Sequence, residues 1–261
     1  MLSILLHSSK TMRATPKESK TPQIPRLITK ATQLVDYCNH LSVEEVAQVM
    51  HLSQKKAAET ATQFQQWSLD ENRQLPAIDA FIGDIYSGLQ AQTLNVADRE
   101  YANKHLIILS GLYGALKALD HVRPYRLEMG YKLPNTPFKN LYEFWGSDIA
   151  ACIPGDVIIN LSAVEYTKAV FTHLSASRHI ITPKFMTKDP TTQLPKFVVV
   201  HAKVARGAYA NWLIKNRIQD TAKLKEFDQL GYVFEPALST PEQPVFVCDE
   251  FSGLGLSIRL S

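Results

Sequence analysis

The chain has 261 residues, 45% of them hydrophobic and 20% charged, which is the composition of a folded globular protein with a sizeable core. Its formal net charge of +3 permits nucleic-acid binding but does not indicate it, because such binding needs a local basic patch. Three widely spaced cysteines, Cys38, Cys152 and Cys248, exclude a disulfide framework, and no stretch approaches the roughly 18 apolar residues of a membrane helix. We therefore expect a cytoplasmic protein with no membrane partner.

The N-terminal segment is predicted to contain a strand, a loop and a helix. The apolar run in "MLSILLHSS" is too short for a secretory signal and has no basic residue before it, so it is predicted to be a buried strand. Residues 11–26 are polar, basic and interrupted by prolines, which predicts an exposed loop. Apolar residues at helical spacing follow from Leu27 to Cys38 and predict the first helix.

Three further helices are predicted before residue 90. Ser42 and Glu45 have the spacing of a capping box, in which each side chain bonds the main-chain amide of the other. Ser53 is predicted to begin the next helix, which ends near Trp67. Pro76 suits the first turn of a helix that continues through "AIDAFIGDIYSGL".

Strands and helices alternate in the rest of the chain. Asn95 is predicted to cap the helix "VADREYANKHL", and "LIILSG" and "DVIINLS" have the continuous apolar character of strands buried on both faces. Ser162 and Glu165 form a second capping-box pattern. The remaining predicted elements are the helices "NLYEFWGSDIAACI" and "KVARGAYANWLIKNRI" and the strands "RHIIT", "KFVVVHA", "GYVFE" and "PVFVCD".

This order of elements predicts an α/β or α+β fold, a single compact domain over residues 1–261 with a mixed β-sheet flanked by helices. Residues 27–104 are expected to form a mainly helical lobe, and residues 105–250 the mixed sheet with its helices. The segment "SGLYGALKAL" also has a loose similarity to a helix-hairpin-helix turn, in which main-chain amides face a DNA phosphate, although its glycines have Gly-x-x-Gly spacing.

Familiar catalytic motifs are absent from the sequence, including the phosphate-binding loop, the dinucleotide-binding glycine pattern, the serine nucleophile elbow and the HExxH zinc motif. We therefore predict no metal site and no cofactor. Polar residues instead occupy predicted strand ends and loop edges, where α/β folds build ligand sites. The acid–base candidates among them are Asp84, Tyr86, Glu128 and Glu165.

Basic residues at similar places are candidates for binding DNA or another anion, namely Lys10, Lys117, Arg123, Arg126, Lys168, Lys203 and Arg206. A solvated surface is the ordinary role of such residues, and Arg126 with Glu128 could instead form a structural ion pair. Lys203 and Arg206 are predicted to follow the strand "KFVVVHA". Tyrosines and a tryptophan are interleaved with these cations, which suits a groove that holds phosphates and stacks bases.

Several segments together resemble one family, the YaaA family of bacterial peroxide-stress proteins. The resemblance covers essentially the whole chain and rests on "MLSILLHSSKT", "FIGDIYSGLQA", "LSGLYGALKALDHVRPYRLEMG", "LYEFWG", "VIINLSAVEYTKAV", "VVVHAKVARGAYANWLI" and "FDQLGYVF". It implies one compact α/β domain with a positively charged cleft, DNA binding through a helix-hairpin-helix-like element, and protection from peroxide and free iron. The chain departs from the family pattern at Ile82, Lys117, Ala118, Val204 and Leu230.

Two functional hypotheses follow, beside a structural or partner-binding role that rests only on the absence of standard motifs. The first is a peroxide-stress protein whose basic cleft binds duplex or distorted DNA. The alternative is an enzyme acting on a nucleotide or nucleobase in the same cleft, because acids, bases and anion-binding groups together are what an acid–base site requires. The alternative requires the acid, base and anion-binding candidates to converge on one pocket, namely Lys10, Asp84, Tyr86, Arg126, Glu128, Glu165 and Lys168.

Overall fold

The computed structural model describes residues 1–13, 22–68 and 74–253. The described strands are β1 (Leu2–His7), β2 (Thr11–Met12), β3 (Leu75–Pro76), β4 (Phe81–Ile82), β5 (Leu106–Ser110), β6 (Gly114–Lys117), β7 (His121–Val122), β8 (Val157–Asn160), β9 (His179–Ile181), β10 (Lys184–Lys188), β11 (Pro195–Lys196), β12 (Tyr232–Phe234) and β13 (Val245–Cys248). The described α-helices are α1 (Ile28–Asn39), α2 (Val43–Met50), α3 (Gln54–Gln65), α4 (Ala77–Ala80), α5 (Asp84–Leu89), α6 (Val96–His105), α7 (Leu141–Trp145), α8 (Val164–Phe171) and α9 (Val199–Lys215). The predicted mixed α/β character is confirmed.

The main sheet is mixed and has the strand order β6-β5-β1-β8-β9 among the described residues. Strands β5, β1, β8 and β9 run parallel, whereas β6 pairs antiparallel with β5 at the edge. Strands β1 and β5 are buried almost throughout, which explains their continuous apolar sequences. The chain leaves β1 for β5 on one side and later returns to β8 on the other, so the sheet has a topological switch point between β1 and β8.

A second sheet has the order β11-β10-β13-β12, with β10 and β13 parallel and the other pairs antiparallel. Two short antiparallel pairs, β2 with β4 and β3 with β7, complete the described strands. The same hydrophobic cluster contains Leu5 of β1, Tyr209 of α9 and Phe246 of β13, so apolar packing continues from the main sheet to the second one.

Local sequence signals correctly placed several helices. Ser42 and Glu45 form the predicted capping box at the start of α2, with hydrogen bonds of 3.2 and 2.8 Å. Asn95 caps α6, where Asp98 completes a second capping box. Ser53 precedes α3, but its side chain makes no capping hydrogen bond.

The predicted continuous helix after Pro76 is wrong. The chain forms the short helix α4, then β4, and only then α5. Strand β4 pairs with β2, so the predicted loop at 11–26 begins with a strand, while its residues 14–21 lie outside the described ranges. Gly83 separates β4 from α5. Its φ of 152° is a backbone conformation that residues other than glycine rarely adopt. Asp84 is therefore the first residue of a helix and does not interrupt one.

The predicted strand "KFVVVHA" is also wrong beyond Lys196. Helix α9 starts at Val199, so Lys203 and Arg206 lie on its second and third turns rather than at a strand end. Three consecutive valines favour a strand only weakly, and the packing of α9 against α5 outweighs that preference. A true strand, β10, went unrecognised just before this segment.

Glycines at the crossing of α5 and α9 allow the two backbones to touch. A Cβ atom on Gly88 would lie 1.9 Å from the carbonyl oxygen of Val204, and one on Gly207 would lie 1.8 Å from that of Ile85. Val204 is buried in this crossing. The crossing fixes where the first residues of α5 stand relative to Lys203.

The segment "SGLYGALKAL" forms an antiparallel β-hairpin and not a helix-hairpin-helix turn. Strand β5 ends at Ser110, Gly114 begins β6 with a φ of 69°, and Ser110 pairs with Gly114. The Ser110 hydroxyl accepts a hydrogen bond from the Tyr113 amide at 2.9 Å, which closes the turn. In the described part of the chain, no helix is long and apolar enough to cross a membrane.

Candidate functional site

A cavity of about 390 Å³ opens at the carboxyl ends of β1 and β8, beside the switch point of the main sheet. This is the position where parallel α/β sheets commonly bind ligands. The cavity is lined by His7, Ser8, Ser9, Lys10, Gly83, Asp84, Ile85, Tyr86, Glu128, Ala163, Glu165, Tyr166 and Lys203. Lys10, Asp84, Tyr86, Glu128, Glu165 and Lys203 were predicted from the sequence, and the fold brings these six together.

His7 ends β1 and is held as a neutral imidazole. Its Nδ1 accepts a hydrogen bond from the amide of Ala163 at 3.1 Å, and the Ser162 hydroxyl lies 3.3 Å from the same atom. Burial lowers the pKa of His7 to about 3, with further contributions from the charges of Arg206 and Lys203. Because Nδ1 accepts, the neutral ring carries its proton on Nε2, which has no hydrogen-bond partner among the described residues and is available to the cavity.

The predicted capping box of Ser162 and Glu165 is wrong. Ala163 occupies the cap position of α8, and no side-chain capping bond forms. The buried Ser162 hydroxyl instead faces His7, and its amide donates to the Asn160 side chain at 3.1 Å. Glu165 accepts a hydrogen bond from the Gly130 amide at 2.7 Å, so its carboxylate joins α8 to the loop between β7 and α7. Neither side chain caps the helix, and Glu165 lines the cavity.

Glu128 is a partly buried carboxyl group in the cavity. Burial raises its pKa above the ordinary value, while a hydrogen bond from the Tyr166 hydroxyl and the charge of Lys10 oppose this rise. The segment around Arg126 and Glu128 has no regular secondary structure, so the strand-like spacing of these residues does not reflect a strand. They form no ion pair in the described structure, although the charge of Arg126 also acts on Glu128. A carboxyl group whose pKa is raised by burial in a cavity is a candidate for proton transfer.

Serine and tyrosine hydroxyl groups lie next to one another in the region behind the Glu128 carboxyl group. Ser8 donates to the Tyr166 hydroxyl at 3.3 Å and also bonds Tyr125, whose hydroxyl lies 2.6 Å from Ser110 Oγ. These contacts form one chain from the end of β5 to the Glu128 carboxyl. Burial raises the pKa of Tyr166 and Tyr125, so both remain protonated and able to donate.

Tyr86 and the Tyr166 ring hold the end of β1 in place. The Tyr86 hydroxyl donates to the His7 carbonyl at 2.9 Å, and burial raises its pKa well above the ordinary value. The rings of His7 and Tyr166 stack with centroids 4.9 Å apart. Tyr86 is therefore a positioning group for β1 rather than a proton-transfer group.

Several cations at or near the cavity form no ion pair with a described residue, although the charge of Lys10 acts on Glu128. Lys10, Lys203 and Arg206 form no ion pair within residues 1–13, 22–68 and 74–253, in contrast to cations elsewhere such as Arg99, which bonds Asp79 at 2.7 Å. Burial lowers the pKa of Arg206, which shows that its charge is partly desolvated. Nε of Arg126 is also buried without a hydrogen-bond partner in these ranges. A partly buried charge without a partner is costly and favours binding of an anion.

Three predicted cations lie elsewhere. Lys117 lines a separate cavity of about 210 Å³ together with Arg26, Asp120 and Cys152. The Arg123 side chain is buried, with its guanidinium carbon 5.3 Å from the Trp67 ring centroid. Lys168 extends over the Tyr142 ring at 5.0 Å, one turn along α8 from Glu165.

His7, Ser8 and Tyr166 were missed as site residues by the sequence analysis. His7 and Ser8 begin the polar run "HSSK" directly after a buried strand, a signal of the same kind that marked Lys10. The described residues contain no group of three or more His, Cys, Asp or Glu side chains that could hold a metal ion.

Comparisons with known proteins match almost the full length of the chain. A family model described as peroxide stress protein YaaA matches residues 2–238. A UPF0246 protein of Salinispora tropica is 51% identical over 98% of this chain and 97% of its own length. Similar UPF0246 proteins from Marinomonas sp. and Ralstonia pickettii are 39% and 41% identical, over 95% and 89% of this chain and 98% and 93% of theirs. The chain therefore belongs to the YaaA family of peroxide stress proteins.

Proposed function

We propose that this protein acts in the cytoplasm against peroxide damage by binding DNA, with phosphate groups held by the cations around the switch-point cavity. The observation that carries the proposal is that Lys10 and Lys203 line one opening, that the charge of Arg206 acts on His7 in its wall, and that none of these three cations forms an ion pair with a described residue. DNA presents closely spaced phosphates, and binding them releases counter-ions, so unpaired cations contribute strongly to affinity. Arg126, beside Lys10, adds a fourth cation to this surface, since its guanidinium lies 3.5 Å from the Lys10 carbonyl.

We propose that α2 and α3 form the helix-hairpin-helix-like element that the family resemblance implies. These helices pack on each other and are joined by only three residues, of which His51 has a φ of 52°. Lys55 and Lys56 are exposed in the first turn of α3. Free amides at a helix start and two nearby lysines together suit a DNA phosphate.

The proposal is tested by fluorescence anisotropy of labelled duplex and bubble DNA across a salt series. Each phosphate contact contributes about 0.9 to the slope of log affinity against log salt, so Arg126→Ala/Lys203→Ala should flatten the slope by about 1.8. Lys55→Ala/Lys56→Ala tests the α2–α3 contact in the same way. Lys117→Ala removes a cation outside the cavity and is the matched control. No binding near physiological salt, or a flat salt dependence, would refute the proposal.

The protective role includes limiting iron-dependent damage, as the family resemblance implies. Cells lacking the protein and complemented with the wild type or with Arg126→Ala/Lys203→Ala would be compared for peroxide survival and free iron. The variant should fail to restore survival. Full restoration of survival by the variant would show that protection does not depend on the cationic surface.

A second candidate function is an enzyme acting on a nucleotide or nucleobase in the same cavity. The favouring observation is Glu128, a carboxyl group with a raised pKa that lies beside Lys10 and Glu165 in a cavity too small for a duplex. Phosphate binding alone has no use for these acids, whereas proton transfer does. Incubation with nucleotides and chromatographic analysis of products would test it, with Glu128→Gln as the inactive control. Equal product formation by that variant would exclude Glu128 as the proton-transfer group.

A further inference from the structure

We infer that the switch-point cavity binds a small phosphate monoester, with its phosphate held by Lys203, Arg206 and the Nε2–H of His7, and a hydroxyl or amino group of the same ligand beside Glu128. This inference rests on the proposed function, because it identifies the chemistry of the unit that the cavity recognises. Two sources share that chemistry, a free nucleotide and the terminal phosphate of a nucleic-acid strand.

The cationic end of the cavity is built by α9 and β1. Lys203 and Arg206 are three residues apart on α9 and therefore share one face of that helix. The charges of Lys203 and Arg206 both act on the His7 imidazole, and Lys203 lines the cavity together with His7. Two cations and one neutral donor with no described partners match the charge and the several acceptor oxygens of a phosphate dianion.

His7 is fixed as a donor before any ligand arrives. The Ala163 amide occupies Nδ1, which sets the tautomer, and stacking on Tyr166 sets the plane of the ring. A neutral imidazole with a fixed ring orientation donates its N–H in one direction to an oxygen of the ligand. Because the ring carries no charge, it does not repel the two nearby cations. The sequence position of His7, at the carboxyl end of β1, places this donor at the switch point.

Tyr166 separates the cationic end of the cavity from its acidic end. Tyr166 contacts His7 with its ring and hydrogen-bonds Glu128 with its hydroxyl, so the side chain links the two ends of the cavity. Glu165 and Glu128 act on each other electrostatically, which places both carboxyl groups at this end. Carboxyl groups repel a phosphate and accept hydrogen bonds from hydroxyl or amino groups, so the ligand must carry its anion and its donors apart.

Size also restricts the ligand. A cavity of about 390 Å³ is at the lower end of the range for small-molecule sites and admits a single nucleotide-sized ligand but not a duplex.

The test is calorimetric titration of the full-length protein with adenosine 5′-monophosphate, adenosine, ribose 5-phosphate and inorganic phosphate. We expect the monoesters to bind and adenosine to bind at least about tenfold more weakly, since it lacks the charge-assisted hydrogen bonds. Lys203→Ala should weaken monoester binding about tenfold or more. Lys215→Ala, which removes a lysine from the last turn of the same helix, should leave it unchanged.

Two further experiments distinguish a free nucleotide from a strand end as the ligand and control for a folding defect in the variants. Oligonucleotides with and without a 5′-phosphate are compared, and preference for the phosphorylated strand would assign the site to strand ends. Arg206→Lys keeps the charge while removing the fork of donors, so its circular dichroism should be native while monoester binding weakens. Equal affinity for adenosine and its monophosphate, or unchanged binding by folded Lys203→Ala, would overturn the inference.

DNA binding by the same preparations distinguishes this inference from the proposed function. Salt-sensitive duplex binding without monoester binding would refute the phosphate-monoester site and leave the DNA proposal standing. Monoester binding without duplex binding would support the site and refute the DNA proposal.

Discussion

Replacement of Gly207 by alanine tests the packing that positions one wall of the cavity. In an uncrowded helix this change should stabilise the protein by about 0.5–1 kcal/mol, because glycine has a poor helix propensity. Here the added Cβ would lie 1.8 Å from the carbonyl oxygen of Ile85, whereas real Cβ contacts are essentially never shorter than 3.0 Å. Helices α5 and α9 must therefore separate by more than 1 Å.

The expected cost follows from that separation. Overpacking of a dense interior costs about 1–3 kcal/mol and sometimes more, and the partners of Gly207 here are main-chain atoms that cannot rotate away. After subtraction of the propensity gain, we expect the free energy of unfolding to fall by about 2 kcal/mol. Since Asp84 and Ile85 begin α5 and line the cavity, ligand binding should weaken together with stability.

Urea unfolding followed by circular dichroism measures the loss, with Lys215→Ala as an exposed control on α9 that should change stability by less than about 0.5 kcal/mol. Gly88→Ala creates the reciprocal clash, 1.9 Å from Val204. One separation of the helices relieves both clashes, so the double variant should cost clearly less than the two single costs added together. A stabilising Gly207→Ala, or strict additivity, would refute the backbone-contact argument.

Three other predictions concern stability. Burial raises the pKa of Asp120 to about 6, compared with about 4 in an unfolded chain. The folded state therefore binds this proton more tightly than the unfolded state does. As a result, the free energy of unfolding should fall as the pH rises from about 4 to about 6. Asp120→Asn should remove this fall of at most about 3 kcal/mol, and identical pH profiles of the two proteins would contradict it. Ser42→Ala should lower the free energy of unfolding by about 1 kcal/mol, measured by thermal or urea unfolding, because it removes a capping hydrogen bond. Ser53→Ala loses no such bond and should lower it much less. The reverse order would count against the capping assignment. A single domain should unfold in one transition seen equally by tryptophan fluorescence and circular dichroism, and two separate transitions would argue for two domains.

Local signals in the sequence were sufficient where the determining interactions are close along the chain. Ser42 with Glu45, and Asn95 before α6, form their caps from residues three positions apart, so spacing alone predicts them. Strands β5 and β8 were recognised because burial on both faces requires continuous apolar sequence. Polar residues placed directly after such strands, including Lys10, marked the edge of the sheet where the cavity lies.

Tertiary contacts overruled local signals where distant residues supply better partners. Ser162 has the sequence of a helix cap, yet its hydroxyl faces His7, which is 155 positions away in the chain. The valines before His201 favour a strand, but α9 forms because its glycine and alanine surface can approach α5. Neither outcome can be read from spacing, because the competing partners meet only after folding.

The sequence by itself determined the family of this protein, its α/β character and the residue types that its site uses. Only the tertiary structure decided which candidates converge, separating Lys10, Glu128 and Lys203 from Lys117 and Arg123. It also revealed His7 as a neutral donor, because that state depends on the amide of Ala163 and on burial rather than on neighbouring residues. The physical reason is that a binding site is defined by distances and desolvation between separate segments, whereas sequence patterns record only local preference.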